Sequence, residues 1–321
     1  MESVSRTRAV LLLAAGFGAA VGVTWFFVSR RKRRLVKVGE VSQLFVYPVK
    51  SCKGTPLKEA KCKAFGLENG NLRDRHWLVV KEDKVCVTGR QEPRLVLMTA
   101  SCDDTHLTLC APDMDELHVP LKLSASNETF TCKIHGNTVT GRDCGDQASR
   151  WITSFLKSRE TYRLVQFEET MKPRNPKNEY ETYTENDTVA YPDLSPLLLL
   201  SEASVDDLNT RLEKKVSVRN FRPNIVVSGC APFDEDTWKK IQIGSRVTLK
   251  QVMPCPRCIF TTVDPDTGII DMKEPLTTLR SYRQYEGPHK KVYKSNPLFG
   301  QFVRIEKTGV IKVGDPVYQV I

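Results

Sequence analysis

Val247-Thr-Leu-Lys-Gln-Val252, Pro254-Cys255-Pro256-Arg257-Cys258, Ile259-Phe-Thr-Thr-Val263 and Asp264-Pro-Asp-Thr-Gly268 lie within one short reach of chain. The two β-branched runs read as strands and the last five residues as a turn. A cysteine pair on a strand-bounded loop beside an arginine admits three chemistries: metal ligand, redox thiol or idle buried residue. Structural zinc takes about four ligands, commonly two Cys pairs or a Cys and a His pair. This Cys-x-x-Cys has no second, and His76, His106, His118, His135 and His289 are dispersed singly. A thioredoxin-type pair draws its reactivity from a helix N-terminus, and the run after Cys258 reads as strand. The third chemistry is one soft thiolate on a redox metal, with Arg257 and other cations binding an anionic cofactor. Spacing alone leaves all three open.

Outward from this motif the chain is rich in short strands. Val38 to Pro48, Trp77–Val80, Val85–Thr88, Leu95–Met98, Leu107–Leu109 and Phe130–Ile134 read as strands upstream. Ile225–Val227, Phe302–Ile305 and Val317–Val320 continue the series. Such spacing suggests a barrel or sandwich rather than βαβ units. Two helices interrupt it. Asp146–Leu156 places Ala148, Trp151, Ile152, Phe155 and Leu156 on one stripe, with Asp143 or Asp146 as cap. Glu202–Leu212 follows Ser201, a natural N-cap. The polar stretch 168–187, with Pro173 and Pro176, reads as a connecting loop or lid. The expected class is α+β and β-rich, in two packed lobes.

The net charge of +10 is concentrated at the start. Residues 1–35 carry a net +6, leaving +4 for the rest, and no basic stripe with interleaved aromatics marks a nucleic-acid binder. Residues 9–28 are uncharged and mostly apolar, and Arg30-Arg-Lys-Arg-Arg34 follows at once. Twenty residues make about 30 Å of helix, the thickness of a bilayer core. The segment is therefore expected to be a signal-anchor, with residues 1–35 forming the anchor and its basic flank and the body in the cytosol. The ten cysteines are scattered through a long chain, which fits reduced thiols better than a disulfide scaffold.

Polar groups at strand edges are the candidate partners of the cysteine loop: Lys50-Ser51 after Pro48, Arg75 before Trp77, Ser195 before an apolar run, and Arg222 with Asn224 before Ile225. Tyr47-Pro-Val-Lys-Ser-Cys-Lys-Gly54, Gly70-Asn-Leu-Arg-Asp-Arg75, Gly89-Arg-Gln-Glu-Pro-Arg-Leu-Val96, Asn220-Phe-Arg-Pro-Asn224, Cys255-Pro-Arg-Cys258 and Lys312-Val-Gly-Asp-Pro-Val317 occur in this order. Together they resemble the MOSC-domain molybdenum enzymes, above all the vertebrate mitochondrial amidoxime-reducing components. The resemblance runs from residue 38 to 321.

The resemblance implies a MOSC amino-terminal β-barrel-like domain at 38–167, the connecting loop at 168–187 and a MOSC β-barrel domain at 188–321, after the membrane helix. It implies a molybdenum–pyranopterin (molybdopterin) cofactor, with Cys258 as metal ligand and catalytic residue. Lys50, Ser51, Arg75, Ser195, Arg222, Asn224 and Arg257 become its cofactor contacts, and Cys255 neighbouring packing. Leu194 and Pro256 depart from the hydroxyl residues expected there. Phe299-Gly300 and the 168–187 loop are candidate substrate walls. The implied activity is reduction of amidoximes, N-hydroxyguanidines, hydroxamic acids and similar compounds to amidines or amines. No dinucleotide, haem or ferredoxin fingerprint is visible, so electrons come from a partner, by the resemblance cytochrome b5 and its NADH-dependent reductase. The implied place is the mitochondrial outer membrane facing the cytosol, with peroxisomes as a second compartment. Two other classes stay open: a sulfur or molybdenum-cofactor carrier, and a membrane-anchored thiol–disulfide oxidoreductase using Cys255 and Cys258.

Overall fold

Leu197 and Leu199, Ile225 and Val227, Ile241 and Ile243, and Val247 and Leu249 all contribute to one buried core. Each pair is two residues apart, the period that puts side chains on one face of a pleated strand. In the computed structural model these strands form a ring. Its order is Ile225–Ser228, Leu197–Ser201, Leu298–Lys307, Val247–Pro256, Lys240–Ile243, Pro316–Val320 and Leu35–Val46, and the last pairs back onto the first. Closure leaves no exposed edge. Leu197–Ser201 and Ile225–Ser228 run parallel, so the chain between them must cross over. The helix Glu202–Asn209 makes that crossing, with Ser201 as N-cap accepting the Ser204 N–H at 3.0 Å.

The structure describes residues 34–321 apart from 135, 179, 288 and 289. The expected membrane helix at 9–28, His135 and His289 lie outside the described residues. Among those described, no helix is long and apolar enough to cross a membrane.

The early part of the chain adds smaller sheets beside the barrel. Trp77–Lys81 pairs with Tyr162–Gln166, and the helix Asp146–Leu156 buries Ala148, Ile152, Phe155 and Leu156 in a core with Trp77, Leu95 and Leu107. The early and late parts are interleaved. Leu35–Val46 closes a ring otherwise built after residue 196, and Glu59–Lys63 pairs with Gly309–Lys312.

Several local expectations need correction. Leu95–Met98 is no strand: Pro93 opens a 3-10 helix, Pro93–Leu97, because its fixed φ and missing N–H suit the first helical turn. Val85–Thr88 makes only isolated bridges, Val80 with Cys86 and Val85 with Lys133; it is a short run caught between the turn at Lys84 and Gly89. Ile259–Thr262 is likewise a 3-10 helix. The Thr261 and Thr262 hydroxyls donate back to Cys258 O at 3.0 Å and Ile259 O at 2.8 Å, local bonds that override β propensity. The first helix starts on Gly145 (φ 93°) with no side-chain cap; Asp143 instead accepts the Gly145 N–H at 3.1 Å. The second helix ends at Asn209 rather than Leu212.

Strand direction decides where function can sit. Leu35–Val46 and Val247–Pro256 end where Leu197–Ser201, Ile225–Ser228 and Leu298–Lys307 begin. The segments around residues 48–51, 193–196, 221–224, 256–258 and 296–297 therefore converge at one end of the barrel.

Candidate functional site

That end of the barrel holds a cleft of about 430 Å³. All eight residues marked in the sequence line it: Lys50, Ser51, Arg75, Ser195, Arg222, Asn224, Arg257 and Cys258. They come from five separated segments, which only the closed barrel brings together.

The cations are held in different ways. Lys50 Nζ donates to Tyr191 O at 2.8 Å and pairs with Asp193 at 2.5 Å. Arg75 Nη1 pairs with the fully buried Asp74 carboxylate at 2.5 Å. Burial disfavours the Arg75 charge, but Asp74 outweighs it and raises its pKa. Arg222 pairs with no carboxylate among the described residues. Its guanidinium lies 4.3 Å from the Tyr47 ring centroid and 5.3 Å from that of Phe260. Burial, reinforced by the charge of Arg75, pulls its pKa down to about 10. Arg257 donates from Nε to Phe299 O at 2.7 Å and from Nη1 to Phe221 O at 3.0 Å.

Among the described residues, Arg222 Nη2 and Arg257 Nη2 are both buried without a hydrogen-bond partner. An unsatisfied buried donor costs about 1–3 kcal/mol, more when charged. Two such groups lining one cleft fit an anionic ligand that would accept from them. The donor set also fits a metal that needs little from protein. Cys258 supplies sulfur, and among the described residues no three His, Cys, Asp or Glu side chains come together as a metal cage. A metal here would draw its other ligands from a cofactor.

Asn224 departs from a simple contact. Its Nδ2 donates to Phe45 O (3.1 Å) and Asp74 Oδ1 (2.9 Å), and its Oδ1 accepts from Leu198 N (3.2 Å) and Arg75 Nη1 (3.3 Å). All four amide positions are used within the protein. Ser195 is likewise held, its Oγ 2.9 Å from the buried Tyr183 hydroxyl. Cys255 is buried in an apolar cluster, and burial pushes its thiol up to about 11 against the opposing pull of Arg257.

Four lining residues adopt left-handed backbone although none is glycine: Ser51 (φ 70°), Arg75 (49°), Arg222 (57°) and Lys294 (54°). Each costs about 1 kcal/mol or more and persists where the surroundings dictate it. Gly300 (φ 75°) is glycine for a second reason: a Cβ there would lie 2.9 Å from Leu199 O and 3.3 Å from Arg257 Nη2. Of the expected walls, Tyr180 from the 168–187 stretch lines the cleft, while Phe299 packs behind it on Phe221, centroids 4.6 Å apart. Asp74, Tyr183 and Arg174, which donates to Pro192 O at 2.7 Å, were not marked in the sequence. Arg90 lines the cleft from a quoted motif that carried no assigned role, and Thr88 from the run just before that motif.

A closed barrel gathering Cys255, Cys258 and a set of cations at one end defines a MOSC-type protein. The families described as MOSC N-terminal beta barrel domain and MOSC domain match residues 38–159 and 186–318. The chain belongs to the family of mitochondrial amidoxime reducing components. It is 56% identical to "Mitochondrial amidoxime reducing component 2" of Bos taurus over 291 residues, covering 91% of this chain and 86% of the relative. The Homo sapiens protein of that name is also 56% identical, over 91% of this chain and 87% of its own. "Mitochondrial amidoxime-reducing component 1" of Homo sapiens is 53% identical, over 96% and 90%. Among solved structures, the YUAD protein from Bacillus subtilis is similar over 89% of this chain and 97% of its own, at 9% identity and a TM-score of 0.35.

Proposed function

We propose that this protein is a molybdenum-cofactor reductase of N-oxygenated compounds, amidoximes, N-hydroxyguanidines and hydroxamic acids among them. One observation carries the reading: two guanidinium donors, unpartnered among the described residues, line the same cleft as the candidate ligand Cys258. The names of the relatives point to the same reaction. When bound, the molybdenum–pyranopterin cofactor would supply a centre that accepts oxygen from an N–O bond while giving the substrate two electrons.

The chain's own residues do the rest. Cys258 gives the one protein thiolate to the metal. Arg222 and Arg257 donate to the cofactor's phosphate, whose charge relieves the penalty on their Nη2 groups. Arg75 and Lys50, each tied to an aspartate, add fixed positive charge without needing the ligand. Ser51 and Ser195 present their positions beside these cations, Ser195 steadied by Tyr183. Asn224 acts through Arg75 and the backbone of Leu198. Among the described lining residues Asp193 is the one carboxylate, and Lys50 engages it. Protons for the released water therefore come from solvent through the open mouth.

We place the metal domain at 188–321 and the preceding domain at 38–167, joined by 168–187, with the first barrel strand shared between them. The segment 9–28 anchors the protein in the mitochondrial outer membrane with its body in the cytosol. Cytochrome b5 and its NADH-dependent reductase deliver the electrons, and tethering to one membrane raises their effective concentration. Peroxisomes are a second location on this reading. The test is reduction of benzamidoxime by purified, molybdenum-loaded protein with that donor pair. Turnover that tracks molybdenum content supports the reading; metal-loaded protein without turnover points to a carrier instead.

A further inference from the structure

Two cations on the cleft lip belong to no part of the cofactor cradle. Arg90 and Lys294 both line the cleft and are exposed, and neither joins an ion pair among the described residues. The Arg90 side chain makes one hydrogen bond among the described residues, Nε to Thr88 Oγ1 at 3.5 Å.

Both are tied to the Cys258 end of the cleft. Gly89 lies flat on Phe260, where a Cβ would collide with the ring, so Arg90 rises beside the turn that begins at Cys258. On the other side, Lys294 precedes Asn296, a lining residue, and Pro297, whose carbonyl accepts the Arg257 N–H at 2.8 Å. Lys294 closes the short helix Lys290–Tyr293 with a left-handed backbone (φ 54°), a common helix ending. The Lys290 carbonyl fixes it by accepting its N–H at 2.9 Å.

We propose that Arg90 and Lys294 are specificity residues that favour N-oxygenated substrates carrying a remote anionic group, such as a carboxylate, over neutral ones. The proposal rests on the reductase reading and names its substrate class. The chemistry is simple. The cradle cations Lys50, Arg75, Arg222 and Arg257 serve the cofactor, which leaves these two to meet whatever approaches Cys258 from solvent. A substrate whose N–O group reaches the metal end brings its far end to the lip. A carboxylate there gains charge-assisted hydrogen bonds, whereas a neutral ring gains none. Because both cations are exposed, the preference is modest and weakens with salt.

The test compares 4-carboxybenzamidoxime with benzamidoxime on the molybdenum-loaded protein, using dithionite as electron source. The ratio of their kcat/KM values falls about threefold in Arg90→Gln and in Lys294→Gln, as exposed pairs allow. It falls further in Lys294→Glu and shrinks for wild type as ionic strength rises. Calorimetric titration with the products shows the same order: 4-carboxybenzamidine binds wild type more tightly than benzamidine, and the variants lose that difference. A ratio unchanged in all three variants overturns the proposal. So does a loss seen only with a protein electron donor and not with dithionite, which would give these cations to an acidic partner. Wild-type protein that holds molybdenum yet reduces neither compound overturns the reductase reading itself.

Discussion

Asn224 Nδ2 donates to Asp74 Oδ1 across 2.9 Å, although 150 positions separate them in the chain. The same carboxylate accepts the Tyr47 N–H at 2.8 Å and, through its other oxygen, pairs with Arg75. Asp74 therefore joins the first barrel strand's exit, the Arg75 turn and the start of Ile225–Ser228. It also keeps Arg75 charged and aimed before any ligand arrives.

Asp74→Asn keeps the shape of this junction and removes its charge. Breaking a buried pair from one side leaves an uncompensated ion and costs about 3 kcal/mol. The urea midpoint of the cofactor-free protein should fall accordingly, and Arg75→Met in the same chain should recover part of the loss. An unchanged midpoint would show that the pair is not coupled as described.

Arg222 presents the opposite case. Its pKa is lowered from 12.5 to about 10, so at neutral pH folding buries a cation that the unfolded chain would solvate better. Arg222→Met should stabilise the cofactor-free protein by up to about 3 kcal/mol. It should also abolish the thermal shift that inorganic phosphate gives wild type by binding the folded state. A destabilised variant, or one still shifted by phosphate, contradicts a role for Arg222 in holding an anion.

His76 gives the acid limb of stability. It is buried with its ring edge-on to Phe65 and Phe167, and its Nδ1–H donates to Asp74 O at 3.0 Å. Burial lowers its pKa below 6.5 despite that bond. The unfolded chain thus takes up a proton before the folded one does. The His76 contribution is full above about pH 6.5 and is lost as pH falls below it. Chemical denaturation between pH 7.5 and 5 should show the decline, and His76→Asn should flatten it. Equal slopes in the two proteins would remove His76 as the cause.

Cys255 separates the metal reading from a dithiol one. Burial holds its thiol at about 11, a poor attacking group at neutral pH. Cys255→Ala should cost about 1–2 kcal/mol of stability as a small packing loss while leaving molybdenum content and turnover per metal near wild type. Turnover abolished in a folded, metal-replete Cys255→Ala protein would revive the thiol–disulfide mechanism.

Ile225–Ser228, Val247–Pro256, Leu298–Lys307 and Pro316–Val320 were legible from β-branched or alternating apolar runs, a local signal, whereas Leu197–Ser201 reads only as an apolar run and Lys240–Ile243 is too short to stand out. The misread runs were also local. Leu95–Met98 and Ile259–Val263 look like strands by composition, but Pro93 and two threonine hydroxyls make 3-10 turns of them. The marked site residues were visible as motifs, whereas their convergence was not, since it depends on ring closure between Leu35–Val46 and Ile225–Ser228. Asp74 and Tyr183 escaped notice for the same reason: their partners, Asn224 and Ser195, lie far from them in sequence or across a loop. Left-handed backbone at Ser51, Arg75 and Arg222 leaves no trace in residue type when the residue is not glycine.

Sulfur ligation of the metal by Cys258 is tested most directly by X-ray absorption at the molybdenum edge, on wild type and Cys258→Ala purified alike. The account predicts one fewer sulfur neighbour per molybdenum in the variant and loss of benzamidoxime reduction, with the pterin still bound through Arg222 and Arg257. An unchanged sulfur shell with wild-type turnover per metal would contradict it.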